Sequence, residues 1–315
     1  MKISIIIPTL NEVNHIVSLV KSIYAGDKIE KEVFILDGGS TDGTREKVMQ
    51  MSTDYPHLIL LDNPQKYVSH GFNKAFRLAK GEYISLVGAH AVYPQDYFTH
   101  CIHEIESGSC DAAGGFLLQK GSSPMGKAIA LAMSSKMGVG NTEFRTERKK
   151  KYVDSVAFAV YKRSVFEKVG LLDEELIRNQ DDEFHYRMNA AGLRILMLPE
   201  LEVVYFVRNS LSKLFKQYYQ YGLYKPMVIQ KVKAGLRLRH LVPSFFVSYL
   251  LFLPLSFVNL LYLMPLFMYL MLSFVVALAF KETISIKLKS ILVFPILHIA
   301  YGSGFIVGMK KLWSK

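Results

Sequence analysis

Between Glu202 and Glu282 the 315-residue chain has no acidic residue, and residues 241–280 also lack Lys, Arg and His. As helix, forty uncharged residues would run roughly 60 Å, about twice a bilayer core. The stretch therefore predicts two spans folded into a hairpin that turns near residues 256–259, just after Pro254. A buried helical hairpin in a soluble protein is the competing reading, but a domain of this size has too little surface to cover so much apolar area. Cysteine is scarce too. Cys101 and Cys110 form no CxxC pair and have no histidine at metal-ligand spacing, which excludes a disulfide framework and a zinc-thiolate site and fits a reducing compartment. The N-terminal apolar run is too short for a signal peptide before it meets Pro8. No repeat or low-complexity tract is present.

The formal charge of +11 is unevenly placed. Arg208, Lys213, Lys216, Lys225, Lys231, Lys233, Arg237 and Arg239 precede the first predicted span, and Lys281, Lys287, Lys289, Lys310, Lys311 and Lys315 follow the second against Glu282 alone. Residues 1–207 are left slightly acidic, which excludes a nucleic-acid-binding domain. Basic clusters beside spans favour the cytoplasmic side and anionic headgroups. A third apolar stretch, residues 291–308, contains Pro295, His298, Gly302, Gly304 and Gly308. It either spans or re-enters. Spanning is the preferred reading, although it leaves Lys310 and Lys311 on the far side.

The N-terminal two thirds alternate in period. Residues 3–7 (ISIII) and 33–36 (VFIL) are continuous apolar runs, and Ile16, Leu19, Val20 and Ile23 recur between them at helical spacing. LILLD (58–62), a helical stretch from about Ser69 to Ala79, and YISLV (83–87) continue the pattern. Strand, helix, strand predicts a parallel sheet buried on both faces, whose ligands bind beyond the carboxyl ends of the strands. The polar clusters fall there: Pro8 to Glu12, Asp37 to Thr44, Asn63-Pro64, and Gly88 to His90. In DGGSTDGT (37–44) the strand-end carboxylate suits a ribose or base, and the glycines permit close backbone approach. Ser40 or Thr41 with Asp42 also suits a helix cap. Gln180-Asp181-Asp182-Glu183 places three carboxylates together, one of which is a candidate general base; they equally suit a helix N-terminus, and Glu183 and Arg187 form an i, i+4 pair. At Gly88-Ala89-His90 a strand ends without any carboxylate.

IIIPTLNE, ILDGGSTDGT, NPQKYVSHGFNKAFRLAKGEYISLVGAHAVYP and RNQDDEFHYRMNAAG, in that order, resemble a family 2 glycosyltransferase. The nearest flavour is the membrane-associated exopolysaccharide group that includes succinoglycan glucosyltransferases. The resemblance covers residues 1 to about 225. It implies an α/β fold of GT-A type, Rossmann-like with a mostly parallel sheet and helices on both faces. With the charge and hydropathy pattern, it divides the chain into a GT-A domain at 1–207, basic amphipathic interfacial helices at 208–240, and a transmembrane region at 241–309 with spans at about 241–258, 260–280 and 291–308.

The activity so implied is inverting transfer of a hexose from a UDP-sugar, with the nucleotide held by Pro8, Thr9, Glu12, Asp37 and Gly39 and bordered by Lys66, Asn73 and Ala89. Lys66 and Asn73 equally suit solvated or capping roles. Asp181 stands at the family's base position, with Gln180 in place of the usual Glu. Where the family carries Asp-x-Asp, Gly88 replaces the first Asp and His90 the second. His90 is thus a candidate metal ligand, and an imidazole there favours Mn²⁺ over Mg²⁺; alternatively it only hydrogen-bonds the turn before Tyr93-Pro94. Asp154, Gln180 and Gln217 are expected on the acceptor side, and the basic run RTERKKK (145–151) either meets a lipid diphosphate or is a solvated loop. Gln217 matches the Gln-x-x-Arg-Trp motif of processive members, but Gln220 and Tyr221 replace its Arg and Trp, which favours adding a single sugar. The expected setting is the inner membrane, multi-pass, with the catalytic domain cytoplasmic, contacts to membrane lipids and a polyprenyl-linked glycan as acceptor. A polyprenyl-phosphate sugar synthase and a non-catalytic nucleotide-sugar-binding scaffold are the alternatives.

Overall fold

In a computed structural model, which describes residues 1–26, 28–233 and 235–313, the chain divides into two compact units. One comprises Met1–Leu118 and Glu147–Tyr205, the other Gln119–Thr146 with the chain from Phe206 onward. The first unit is built on β1 (Lys2–Thr9), β2 (Glu30–Asp37), β3 (Leu58–Asp62), β4 (Tyr83–Leu86), β5 (Ala91–Val92), β6 (Ala112–Lys120), β7 (Lys151–Tyr152), β8 (Val160–Lys162) and β9 (Ile195–Phe206). They form one nine-stranded sheet, ordered β3-β2-β1-β4-β8-β6-β9-β5 with β7 on β9. The β3-β2-β1-β4 half is parallel. The β4–β8, β6–β8, β5–β9 and β7–β9 pairs are antiparallel, so the sheet is a mixed GT-A sheet.

The parallel half follows from its side chains. Ile3, Ile5, Ile6 and Ile7 of β1 and Val33, Ile35 and Leu36 of β2 are wholly buried, as are Ile16, Leu19, Val20 and Ile23 of the helix Ile16–Tyr24. Each such side chain contributes about 1.5–3 kcal/mol by leaving water. Glu32, a buried carboxylate in this layer, accepts hydrogen bonds from Ser4 Oγ and from the backbone N–H groups of Lys80 and Gly81. It thereby ties β1 and β2 to the turn that launches β4.

In the second unit the helix Leu211–Val232 and the helix Ile284–Trp313 approach backbone to backbone. A Cβ at Gly222 would strike the Tyr301 carbonyl, and Cβ atoms at Gly304 and Gly308 would strike the carbonyls of Tyr219 and Leu223. Small residues four apart permit such packing without a water-driven apolar core. The helix Leu238–Phe252, two 3₁₀ turns (Leu253–Phe257 and Leu260–Leu263) and the helix Met264–Leu278 form the intervening hairpin. Leu238–Phe257, Leu260–Leu278 and Ile284–Leu312 are long and apolar enough to cross a membrane. Pro295 lies inside the last helix, which is continuous over 30 residues. The apolar side chains of the first two face outward, Phe257 being 95% exposed and Leu251 74%.

Candidate active site

Register brings the carboxyl ends of the parallel strands together. Thr9 pairs with Asp37 and Asp37 with Asp62 across β1, β2 and β3. The turns after β1 and β2 interlock. Asn11 takes a left-handed conformation (φ 56°), its N–H donates to Ser40 Oγ at 2.9 Å, and its Oδ1 accepts from the Thr41 N–H at 2.9 Å. The Glu12 N–H donates to Thr44 Oγ1 at 2.8 Å, and the Val13 N–H donates to Asp42 Oδ2 at 3.1 Å. Asp42 also accepts from the Thr44 N–H at 3.1 Å, the helix-entry role open to it from the sequence.

Asp37 is 1% exposed and accepts from the N–H groups of Gly39 (3.1 Å) and Ser40 (3.2 Å) and from Arg45 Nη1 (2.9 Å). Burial opposes its charge, but the hydrogen bonds from Ser40, Arg45 and Gly39 outweigh it and hold the carboxyl below its usual range. Arg45 also reaches Asp62 Oδ1 at 2.6 Å. Sequence reasoning missed both Arg45 and Asp62; the available signal was a cation in the first turn after a strand-end carboxylate. Gly39 has φ 84°, and a Cβ there would meet nothing within 4 Å. Backbone conformation, rather than crowding, requires glycine, and the backbone face stays open to a ligand.

The other expected nucleotide residues are placed differently. Pro8 and Thr9 end β1, and Thr9 is buried with its hydroxyl donating to the Ile7 carbonyl at 3.1 Å. Lys66 is exposed on a turn at φ 64°. Asn73 is 4% exposed; its Nδ2 donates to the Leu172 carbonyl and to Glu174 Oε1, both at 2.9 Å, and its Oδ1 accepts from the Leu172 N–H at 3.1 Å. With its amide spent on these bonds, Asn73 clamps the 172–174 loop.

Ala89 is buried in the turn after β4, which closes through the Ala91 N–H to the Gly88 carbonyl. His90 faces Glu12, with its Nε2 2.9 Å from Glu12 Oε1, and the His15 ring stands edge-on to it at 5.2 Å. One donor atom from each of Glu12, His15 and His90 lies within 4.8 Å of the others. Two imidazoles and a carboxylate suit a divalent cation of Mn²⁺ type. Gly88 has a steric cause: a Cβ there would lie 2.6 Å from Phe158 Cζ. The Phe158 ring occupies the place that the first Asp of Asp-x-Asp would need.

On the antiparallel half, the helix Gln180–Ala190 follows Asn179 in a left-handed conformation (φ 62°). Asp181 is exposed at the helix start and borders a small cavity lined by Phe72, Leu86, Tyr161, Phe166, Leu172 and Phe184. Gln180 is buried, and its side-chain carbonyl has no hydrogen-bond partner among the described residues. Glu183 pairs with Arg187 at 2.7 Å, and Arg187 also donates to the Val169 carbonyl and, at 2.8 Å, to the Leu171 carbonyl. The pair is a brace. Asp154 is exposed, and its carbonyl accepts from Asn189 Nδ2 at 2.9 Å. In the second unit, Gln217 Nε2 donates to Tyr221 Oη at 3.0 Å. Three members of the basic run already have acidic partners: Arg148 with Glu202, Lys150 with Glu104 and Lys151 with Glu147.

Beneath Asp181 sits a neutral relay. His185, 1% exposed, has Nδ1 2.9 Å from Ser155 Oγ and Nε2 2.7 Å from Tyr161 Oη. Burial pushes the imidazole pKa down to about 4, against a smaller opposing pull from Asp182. Burial also raises Tyr161, with Asp181 adding to the rise. An unfolded imidazole protonates near pH 6.5, so the stability held in a neutral His185 is complete above about 6.5 and is lost as pH falls toward 4. We expect a loss of roughly 3 kcal/mol over that window. Thermal unfolding in detergent should show Tm falling about 5–10 °C more between pH 7.5 and 4.5 for the native chain than for His185→Gln. Parallel curves would remove His185 as the cause.

A parallel half, joined to an antiparallel half whose helix start carries a carboxylate, is the GT-A fold. The chain belongs to glycosyl transferase family 2, whose sequence model matches residues 4–170. It is 34% identical over 242 residues to the succinoglycan biosynthesis protein ExoA of Rhizobium meliloti, covering 76% of this chain and 73% of that one. It is 29% identical over 238 residues to the dolichyl N-acetyl-alpha-D-glucosaminyl phosphate 3-beta-D-2,3-diacetamido-2,3-dideoxy-beta-D-glucuronosyltransferase of Methanococcus voltae, covering 73% and 74%. In fold it is similar to the mannosyltransferase PcManGT of Pyrobaculum calidifontis, solved with GDP-Man and Mn²⁺ (TM-score 0.67, 18% identity, 99% of this chain and 87% of that one).

Proposed function

We propose that the chain is an inverting hexosyltransferase that moves one sugar from a UDP-sugar to a polyprenyl-linked glycan in cell-surface or exopolysaccharide synthesis. The observation that carries this reading is Asp181, exposed at a helix start beside a largely apolar cavity and backed by an uncharged Ser155–His185–Tyr161 relay. Asp181 takes the proton of the acceptor hydroxyl as that oxygen attacks the anomeric carbon, while the bond to the diphosphate breaks on the opposite face and UDP departs. Because the relay beneath it is neutral, the carboxylate remains the proton acceptor.

The interlocked turns of residues 9–13 and 37–44 hold the nucleoside, with Asp37 fixed by Arg45 and Gly39 leaving its backbone open. Lys66 and Ala89 border the diphosphate, Asn73 acts through the loop it clamps, and Asp154 and Gln180 bind acceptor. Gln180 suits that role because its buried carbonyl has no hydrogen-bond partner among the described residues. A divalent ion held at His90, Mn²⁺ in preference to Mg²⁺, would supply positive charge to the leaving diphosphate when bound. The three apolar helices anchor the enzyme in the inner membrane, multi-pass, with the catalytic unit cytoplasmic. Relatives that act on dolichyl-linked sugars and in succinoglycan biosynthesis support a lipid-linked glycan acceptor.

Nucleotide release from a panel of UDP- and GDP-sugars, with either a polyprenyl-linked glycan or bare polyprenyl phosphate present, tests the proposal. UDP release that needs the linked glycan is expected. Release only with bare polyprenyl phosphate would make the chain a polyprenyl-phosphate sugar synthase, and no release from any donor would leave a binding scaffold.

A further inference from the structure

We infer that Glu12, His15 and His90 form a metal centre completed by the protein itself, which loads before the nucleotide and in its absence. This rests on the reading of His90 as a metal ligand and adds two donors from outside the strand-end motif. β1 and β4 are adjacent and parallel, with Ile6 opposite Leu86, so the turns that follow them lie side by side. Glu12 and His15 occupy a single turn after β1, where the His15 and Ile16 N–H groups both donate to the Glu12 carbonyl at 2.9 Å. The Glu12 N–H is pinned to Thr44, and the turn carrying His90 is held by Val87 N–H to the Ile6 carbonyl at 3.0 Å. Each donor is therefore positioned by backbone bonds that need no ligand.

The chemistry of the set is specific. Glu12 is 8% exposed, and its carboxylate meets the His90 imidazole at 2.9 Å. Phe158 bars a carboxylate from position 88, so the negative charge reaches the site from the β1 turn instead. Two imidazoles and one carboxylate bind first-row divalent ions such as Mn²⁺, Co²⁺ and Zn²⁺ in preference to Mg²⁺, and three donors leave positions for diphosphate oxygens. A pair of carboxylates would be a harder donor set, better suited to Mg²⁺.

Mn²⁺ titration of the full chain without nucleotide, followed by loss of the free-ion paramagnetic resonance signal, tests this. One site per chain is expected, with Mg²⁺ a poor competitor. His15→Ala and His90→Ala should each weaken the site by more than the roughly 10- to 100-fold that loss of a supporting hydrogen bond alone costs a metal site. The thermal stabilisation by Mn²⁺ expected of the native chain should vanish in both variants, each measured against its own metal-free Tm; His15→Gln, nearer in shape, guards against misfolding. If Mn²⁺ binds only once UDP is added, or if His15→Ala and His15→Gln bind it as the native chain does, the inference fails. UDP release by the native chain would then still uphold the transferase reading.

Discussion

Asp181→Asn should leave UDP-sugar affinity unchanged and lower kcat for sugar transfer by about 10³-fold, within the 10²–10⁴ range that a positioned base contributes. Asparagine keeps the size and one accepting oxygen of aspartate but cannot take a proton. The acceptor hydroxyl would then attack with its proton in place or surrender it to water. Asp181 is exposed at the start of the helix Gln180–Ala190, so the substitution creates no cavity and weakens a modest interaction with the helix dipole. The fall is therefore chemical and not a loss of fold. Asp182→Asn, one residue along the same turn, is the control and should stay within a few-fold of native. Donor affinity from equilibrium binding and kcat from single-turnover transfer separate the two effects. A fall in kcat below tenfold, or an equal fall in Asp182→Asn, would move the base elsewhere.

The parallel half of the sheet was legible because its strands are uninterrupted apolar runs and its helices repeat at helical spacing; Ile3 to Ile7 and Ile16 to Ile23 show both. The antiparallel half was not. β5 and β7 are two residues each and β8 three, too short for any periodicity, and only their long-range partners make them strands. The motifs singled out Asp37, His90 and Asp181 as candidates, but not the neighbours that define their surroundings. Arg45, Asp62 and His15 join the site only after register and turn geometry bring them there. Asn73 carried no sequence mark of its contact with Leu172, 99 residues away. In the second unit, residues 208–240 read as basic amphipathic interfacial helices, and nothing in the sequence marks Gly222, or Gly304 and Gly308 of the helix Ile284–Trp313, as the points of close packing. A pattern of small residues records such a contact only once the partner helix is known.

Gly88→Asp should destabilise the chain by about 2 kcal/mol, and the same substitution should be tolerated when Phe158 is removed. Gly88 has no positive φ, so its backbone accepts any residue and the obstacle is purely steric. The Phe158 ring lies 2.6 Å from where the new Cβ would sit. That ring cannot swing freely. It packs near Tyr93 and Tyr205, with centroids 6.1 and 6.3 Å away, while its backbone carbonyl accepts from Tyr97 Oη at 2.9 Å. Overpacking of this kind costs about 1–3 kcal/mol. Phe158 also holds φ 56°, a strained conformation for a bulky residue and an easy one for glycine. In Phe158→Gly the relieved backbone strain should offset part of the lost ring packing, and the double variant should regain more than about 1 kcal/mol relative to additivity in a mutant cycle. The regained carboxylate beside His90 should also let Mg²⁺ support transfer better than it does in the native chain. Additive destabilisation would show that Phe158 yields without cost, and the absence of carboxylate at position 88 would then need a cause other than that ring.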